Sequence, residues 1–203
     1  MTIALVDMLK LLGITPNGML GHSVGELGLG CKDIKPLLPP EIDVACHNSA
    51  TSSTLSGPTE IIKKFVQKLQ EKDIFARAVN VGNIAYHSRY IQPAGPILMH
   101  YLKKLLVDPK PRSSKWICSS VPENRWDTEL AKFCSAEYLT NNLLSEVLFE
   151  EASKHIPNNA ITIEIAPHGL LQAILRRSLP ECNNISLTQR NQETAFTVAA
   201  IGK

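Results

Sequence analysis

Long apolar runs, low-complexity tracts and internal repeats are absent from this sequence of 203 residues. No apolar stretch approaches the ~18 residues that a membrane span needs, and the first residues lack the basic-then-apolar pattern of a secretion signal. Charge of one sign does not dominate, since 21 Lys and Arg stand against 19 Asp and Glu and the basic residues are scattered. These absences argue against a membrane-spanning, a secreted and a nucleic-acid-binding protein.

Cysteine is sparse and irregularly spaced. The five cysteines form no C-x-x-C pair, so the sequence predicts neither a zinc site nor a disulfide framework. Reduced thiols in the cytosol are the simplest interpretation, and we expect a cytoplasmic protein that holds no metal. The cysteines are at positions 31, 46, 118, 134 and 182.

Helical and strand-like hydrophobic patterns alternate along the chain, which is long enough for one medium domain or a domain with a small insert. This alternation predicts an α/β fold with a mainly parallel sheet. The predicted helices are 2–12, 59–71, 91–107 and 135–155 (the last in two pieces), with two more after 169 and 190. The predicted strands are 43–49, 53–58, 75–81, 116–122, 160–166 and 184–190.

The segment MLGHSVGELG contains the pattern G-x-S-x-G, from Gly21 to Gly25. In a nucleophile elbow the glycines permit a sharp strand-to-helix turn that lifts the serine hydroxyl out of the sheet. The next backbone N–H groups and the start of a helix dipole then point to the same place. The pattern is short and also occurs by chance, but the strand before it and the helix signal after it favour the elbow. Ser23 is therefore the candidate nucleophile, and the following helix must be short because Gly28 and Gly30 weaken it.

A serine hydroxyl is a weak nucleophile without a base, and two of the six histidines are candidates for that base. They are His87, in AYHS, and His168, in APHG. The chain order of α/β-hydrolases favours His168, with Glu164 or Asp127 as the acid. A base at His87 indicates a different family. The other histidines lie in the elbow, in a predicted strand or on predicted helices: His22, His47, His100 and His155.

Seven stretches share one order with a known family. They are GHSVGELG, ACHNS at 45–49, LSGP at 55–58, AYHS around His87, PKPRSSKW at 109–116, SAEYLTNNLLSEVLFEEA at 135–152 and EIAPHGLLQAILRR at 164–177. Over most of its length the chain resembles the malonyl/acetyl transferase domain of animal-type fatty acid synthases. The resemblance implies a hydrolase-like α/β core with an inserted ferredoxin-like subdomain. The β-β-α-β pattern at 41–81 fits most of that insert, which leaves 1–40 and 82–203 for the core.

The resemblance also implies ping-pong acyl transfer from coenzyme A to Ser23, and then to the phosphopantetheine thiol of an acyl carrier protein. His87 would be the base, and the backbone carbonyl of Asn142 would orient it. The N–H of Val24 would form half of the oxyanion hole, and Asn48 would join the substrate-binding residues. No metal or bound cofactor is implied, and the partners are acyl-CoA, the carrier protein and other synthase domains.

The chain departs from the family at three places. The run whose arginine grips the malonyl carboxylate is missing after Gly28, and the strand that completes the oxyanion hole would precede Met1. Glu146 stands where the family usually has proline. Arg89 is a candidate substitute for the missing arginine, although most arginines are simply solvated. We therefore expect a truncated and internally deleted copy of the domain.

Three functions remain open from the sequence. The first is acyl transfer with Ser23 and His87, and the second is a non-catalytic remnant that binds a carrier protein or a synthase subunit. The third is a serine hydrolase with His168 as its base. For the transferase we expect acetyl to be preferred over malonyl, because an unpaired malonyl carboxylate is costly to bury.

Overall fold

The computed structural model describes residues 2–21, 27–78, 82 and 84–203. Contacts along the backbone divide the chain into a terminal unit, Met1–Gly18 with Ile156–Lys203, and a central unit, Met19–His155. The subdomain boundaries expected at residues 41 and 81 stay a prediction. Among the described residues, no helix is long and apolar enough to cross a membrane.

Short elements follow one another along the chain. The helices are α1 (Thr2–Leu11), α2 (Cys31–Ile34), α3 (Thr59–Gln70), α4 (Gly95–Leu105), α5 (Glu129–Lys132), α6 (Ala136–Leu144), α7 (Phe149–Ser153), α8 (Gln172–Ser178) and α9 (Thr194–Ile201). The strands are β1 (Asp43–Ser49), β2 (Ser52–Ser56), β3 (Lys110–Pro111), β4 (Phe133–Cys134), β5 (Val147–Leu148), β6 (Ile161–Glu164) and β7 (Asn183–Ser186).

Strand β1 is the centre of the larger sheet in the central unit, whose strand order is β2-β1-β5. It pairs antiparallel with β2, where His47 lies opposite Ser53, and parallel with β5, where His47 lies opposite Leu148. Flanked on both edges, β1 is buried along almost its whole length. A side chain from its middle can therefore meet residues that enter with β5 and with the helix that follows it.

Helix α3 covers the apolar core beneath this sheet. Phe65 and Leu69, one turn apart, are buried against Val44 of β1 and Ile34 of α2. The apolar face predicted for residues 59–71 is thus confirmed. With β1 and β2 it supplies three of the four elements expected in the insert.

Two predicted strands form only isolated bridges within the described residues. Ala76 makes an isolated antiparallel bridge with Leu27, and Trp116 makes a parallel one with Met19. The prediction of a strand over 116–122 was wrong, because this segment finds partners only briefly. Ile117 donates to the Met19 carbonyl, and Ser119 accepts from Leu148 of β5. Residues 79–81 of the other predicted strand lie outside the described residues.

The terminal unit has a two-stranded parallel sheet, in which Ile163 of β6 lies opposite Ile185 of β7. Leu5 and Leu9, one turn apart on α1, are buried in the same cluster as Ile185 and Ala200 of α9. The predicted helix at 2–12 and the predicted strand at 160–166 are confirmed. The architecture is therefore α/β, but the strands of the described ranges form small sheets of mixed direction rather than one mainly parallel sheet.

Candidate active site

The elbow serine and its neighbour, Ser23 and Val24, lie outside the described residues. Both ends of their segment are anchored in the central unit. On one side, Ser119 Oγ donates to the carbonyl of Gly21 at 2.9 Å. On the other side, Leu27 exchanges backbone hydrogen bonds with Ser53 of β2 at 2.7 and 3.1 Å. The described residues on both sides of this segment, Gly21 and Leu27, are thus held by hydrogen bonds.

The glycines after the elbow serve close packing rather than a frayed helix. A Cβ at Gly30 would lie 2.0 Å from the backbone oxygen of Ala50, and one at Gly28 would lie 3.1 Å from Cβ of Phe75. The described part of the predicted elbow helix, residues 27–30, is not helical. Helix α2 begins only at Cys31.

His87 is the candidate base that the structure describes in most detail. It is only 9% exposed, and its backbone adopts φ +55°, which is uncommon for a residue other than glycine. Its ring atom Nδ1 lies 3.0 Å from the backbone oxygen of Ser145, and its backbone N–H donates to the carbonyl of Leu143 at 3.3 Å. Because a carbonyl oxygen only accepts, Nδ1 must carry the proton. The neutral ring therefore keeps its lone pair on Nε2, as a general base requires.

Burial also sets the protonation state of His87. The pKa of His87 is lowered from its ordinary value of 6.5, chiefly by burial, while hydrogen bonds of the ring to the backbone of Ser145 and Asn142 act in the opposite direction. The ring is therefore neutral at pH 7. Asn142 lies near the end of α6, and its proposed orienting role stays a prediction. Sequence reasoning missed Ser145, the residue directly after α6 whose carbonyl makes the 3.0 Å contact.

Arg89 is engaged with a protein carboxylate. Its Nε lies 3.0 and 3.1 Å from the two oxygens of Asp43, its Nη2 also contacts this carboxylate, and its backbone N–H donates to it at 2.8 Å. Asp43 thus occupies the Nε–Nη2 edge of the guanidinium. A substrate carboxylate could take this edge only if the Arg89–Asp43 pair opened.

Asn48 is fully buried at the end of β1. Its amide donates to Ser52 Oγ at 3.4 Å and to Thr54 Oγ1 at 3.1 Å. The structure therefore places this predicted substrate-binding residue within the β1–β2 hairpin, where its amide joins the two strands.

A cavity of about 680 Å³ opens beside His87 in the central unit. Ser145, Asn141 and Leu144 form one wall of the cavity, while Lys35 and Arg125 bring positive charge to the lining. This volume lies within the range of small-molecule sites. The candidate base therefore lines a space that is large enough for the acyl end of a thioester.

A cluster of charges that the sequence did not reveal lies next to this wall. Nε2 of His47 is 2.6 Å from Glu146 Oε2, and Nδ1 is 2.7 Å from Glu151 Oε1. Lys35 lies 3.7 Å from the other oxygen of Glu146, and Cys31 Sγ lies 3.1 Å from His47 Nε2. The only sequence signal was the unusual Glu146, because no spacing rule connects residue 47 with residues 146 and 151.

Burial alone would lower the pKa of His47, but the hydrogen bonds and charges of Glu146 and Glu151 outweigh it and raise the pKa to about 9. The His47 hydrogen bond lowers the pKa of Glu146. Burial opposes ionisation of Glu151, yet His47 lowers the pKa of this carboxyl too. At neutral pH the cluster is therefore an imidazolium between two carboxylates. Among the described residues, no group of His, Cys, Asp and Glu is arranged to hold a metal ion.

The alternative acid Glu164 has a structural role in the terminal unit. One of its oxygens accepts from the Leu171 N–H at 2.8 Å, and the other accepts from Gln172 Nε2 at 2.9 Å. Both oxygens thus bind the start of α8, which weakens the case for a hydrolase with His168 as its base. Asp127, the other candidate acid, is exposed.

Residues 29–201 match the family described as the acyl transferase domain. The chain belongs to the acyl transferase domain family. The matched range includes His87 and Asn142 and begins after Ser23, so the assignment of the nucleophile rests on the elbow pattern.

Relatives of this acyl transferase domain occur in fungal polyketide synthases. It is 30% identical over 224 residues to reducing polyketide synthase DEP5 of Alternaria brassicicola, covering 86% of this chain and 9% of that protein. It is also 30% identical over 265 residues to squalestatin tetraketide synthase of a Phoma species, covering 98% of this chain and 10% of that protein. The chain thus spans about a tenth of the length of these curated relatives. They are not animal fatty acid synthases, so the family is established at the level of the domain.

Solved acyltransferase domains share the fold of this acyl transferase domain. A loading acyltransferase from the avermectin modular polyketide synthase has a TM-score of 0.83 at 18% identity, covering 99% of this chain and 76% of that one. The acyltransferase domain of phenolphthiocerol synthase A from Mycobacterium bovis has a TM-score of 0.72 at 23% identity, covering 93% and 88%.

Proposed function

We propose that this chain transfers an acyl group from acetyl- or malonyl-CoA to the hydroxyl of Ser23, and then to the phosphopantetheine thiol of an acyl carrier protein. The observation that carries the proposal is the ring of His87, which is buried, neutral and bonded through Nδ1 to the Ser145 carbonyl. The ring has Nε2 available as a base beside a cavity of about 680 Å³. Membership of the acyl transferase domain family supports the same chemistry.

In the first half of the proposed reaction, Nε2 of His87 takes the proton of the Ser23 hydroxyl as its oxygen attacks the thioester carbonyl. The tetrahedral intermediate expels the coenzyme A thiolate, which receives that proton from His87. In the second half the carrier thiol gives its proton to His87 and attacks the seryl ester. Ser23 then leaves as the alkoxide and recovers the proton. The N–H of Val24 would stabilise both oxyanions.

The setting that we propose is a cytoplasmic synthase of the fatty acid or polyketide type. The motif resemblance favours the first, and the similarity to fungal reducing polyketide synthases favours the second. In either case the partners are acyl-CoA, the acyl carrier protein and the neighbouring synthase domains. A hydrolase-like core with a ferredoxin-like insert over 41–81 belongs to the same proposal.

The decisive experiment is acylation followed by mass spectrometry. The chain is incubated with acetyl-CoA or malonyl-CoA, and the added mass is mapped by peptide digestion. We expect the adduct on the peptide that holds Ser23, its loss in Ser23→Ala, and its retention in Ser113→Ala, since Ser113 is exposed. His87→Ala should slow labelling at least about a hundredfold, which is the lower range for loss of a general base. A wild-type chain that never labels overturns the proposal.

One observation favours a second candidate, a non-catalytic binding remnant. The alignment with squalestatin tetraketide synthase extends over 265 positions, more than the 203 residues of this chain. The relative therefore carries inserted residues within the aligned span, in agreement with the internal deletion expected from the motifs. This candidate predicts no adduct but measurable binding to an acyl carrier protein in titration calorimetry. Stoichiometric acylation of Ser23 would eliminate it.

A further inference from the structure

The wall that holds the candidate base continues directly into the charged cluster. Ser145, whose carbonyl meets His87 Nδ1 at 3.0 Å, is followed by Glu146, whose carboxylate meets His47 at 2.6 Å. We propose that Glu146 is a positioning residue: its ion pair with His47 fixes the direction of the Ser145 carbonyl and, through it, the ring of His87.

The first step concerns the freedom of the Ser145 carbonyl. Ser145 follows the last residue of α6 and has extended backbone angles, φ −105° and ψ 160°, so its carbonyl lies outside the helical hydrogen-bond pattern. On its N-terminal side, the Ser145 N–H donates to the Asn141 carbonyl at 2.9 Å, and Ser145 Oγ meets Asn141 Oδ1 at 3.0 Å. These bonds fix the nitrogen side of the residue. The direction of the carbonyl depends on the next peptide unit as well.

That next peptide belongs to Glu146, the one residue between Ser145 and β5. Beyond it, Val147 pairs with Cys46 in the sheet. Glu146 is therefore held in two ways: by the covalent chain that continues into β5, and by the ion pair of its carboxylate with His47 of β1. The Lys35 ammonium, at 3.7 Å from Oε1, adds a weaker attraction. After loss of the carboxylate charge, only the chain connection into β5 restrains the C-terminal side of the Ser145 carbonyl.

The second step concerns why the ion pair between His47 and Glu146 is strong. His47 is fixed in the central strand of its sheet, is only 8% exposed and has both ring nitrogens on carboxylates. Because each ring nitrogen faces a carboxylate, both donate and the ring is a cation. The other groups around it are the Cys31 thiol, Lys35 beyond Glu146, and Lys154 beyond Glu151. Burial makes the partners interdependent, since removal of one leaves a charge poorly compensated.

The chain also offers a matched control. Glu151 of α7 meets His47 at 2.7 Å, and the side chains of Glu146 and Glu151 are 41% and 43% exposed. Glu146→Gln and Glu151→Gln therefore remove the same charge from the same imidazolium at nearly the same distance and exposure. They differ in their lysine neighbours, Lys35 for Glu146 and Lys154 for Glu151, and in that only Glu146 is covalently bonded to Ser145, which holds His87.

The test observes the ring of His87 itself, by nitrogen NMR of the full chain labelled with ¹⁵N-histidine and assigned by comparison with His87→Gln. The wild type should show His87 as the Nδ1–H form. Glu146→Gln should shift part of the population to the Nε2–H form, and Glu151→Gln should leave it unchanged. In acylation we expect a loss of about tenfold to a hundredfold for Glu146→Gln alone, typical of a misplaced catalytic group.

Glu146→Asp keeps the charge but has a shorter side chain, and it replaces Glu146→Gln in the test if that variant does not fold. We expect it to shift a smaller part of the His87 population to the Nε2–H form. The proposal is overturned if neither variant at 146 moves the His87 signals, or if Glu151→Gln moves them equally. The inference rests on the proposed function only in taking His87 as the base. Because the ring signals are measured without acyl-CoA, a wild type that never labels would refute the function and leave this test intact.

Discussion

Nδ1 of His87 lies 3.0 Å from the backbone oxygen of Ser145, so the candidate base is oriented by a peptide carbonyl and not by a carboxylate. A carboxylate would stabilise the imidazolium, whereas a carbonyl fixes the tautomer with little added charge. Burial lowers the His87 pKa below its ordinary 6.5, although the hydrogen bond to the Ser145 carbonyl acts in the opposite direction. A weak orienter suits thioester substrates, because a thiolate leaves readily and demands less of the base.

The first prediction follows from that pKa. Labelling of Ser23 by acetyl-CoA should fall on acidification with a midpoint below pH 6.5, because His87 must be neutral to accept a proton. The measurement is the initial rate of adduct formation between pH 4.5 and 8.5. His168→Ala, in the terminal unit, is the control and should keep the wild-type profile. A midpoint above 6.5, or a profile that moves in His168→Ala, would contradict the prediction.

The second prediction concerns stability and the His47 cluster. The folded pKa of His47 is about 9 and its unfolded value is near 6.5, so its stabilisation is complete below pH 6.5 and is lost as pH rises through 9. We expect a loss of about 1–2 kcal/mol between pH 6.5 and 9.5, reduced from the full linkage value because both glutamates are partly exposed. Urea unfolding at the two pH values measures it.

Two variants isolate this contribution from the other titrating groups. His47→Gln should remove the alkaline loss of stability, because no proton is then exchanged at that position. His100→Gln, at an exposed histidine of α4, should keep it. An equal pH dependence in the wild type and His47→Gln would show that the cluster does not link protonation to folding.

The third prediction tests the close approach of Gly30 to the β1–β2 turn. A Cβ there would lie 2.0 Å from the backbone oxygen of Ala50, so Gly30→Ala must displace backbone and should cost about 2 kcal/mol or more. Gly202→Ala is the matched control, since its Cβ would meet the backbone oxygens of Ala199 and Val198 at an ordinary 3.7 and 3.9 Å. Comparison of urea midpoints decides. An unchanged free energy of unfolding in Gly30→Ala would show that the β1–β2 turn can shift at little cost.

Local patterns predicted the helices and the paired strands well, because Phe65 and Leu69 lie one turn apart and Ile163 belongs to an Ile-rich run. The prediction of one mainly parallel sheet was wrong, because the described strands form small separate sheets. Whether a strand such as 116–122 forms depends on partners elsewhere in the chain, and among the described residues Trp116 pairs with Met19 alone.

For the site, the motif AYHS identified the candidate base His87 from the sequence. The acceptor Ser145 and the ion pair of His47 with Glu146 could not be identified, because both depend on contacts across more than 50 residues of chain. The identity of a residue suggests its chemistry, whereas which backbone carbonyl orients its ring depends on the folded structure.

The last prediction is that acetyl-CoA labels Ser23 at least about tenfold faster than malonyl-CoA. Asp43 already occupies the guanidinium edge of Arg89, and Lys35 lies beside Glu146, so a malonyl carboxylate in the cavity would compete with protein carboxylates for these cations. A poorly paired carboxylate is costly to bury, and tenfold corresponds to about 1.4 kcal/mol. Adduct formation from each thioester measures the ratio, which Arg89→Gln should leave unchanged. Faster malonyl labelling that disappears in Arg125→Gln would contradict the prediction and would identify this exposed arginine of the cavity lining as the carboxylate grip.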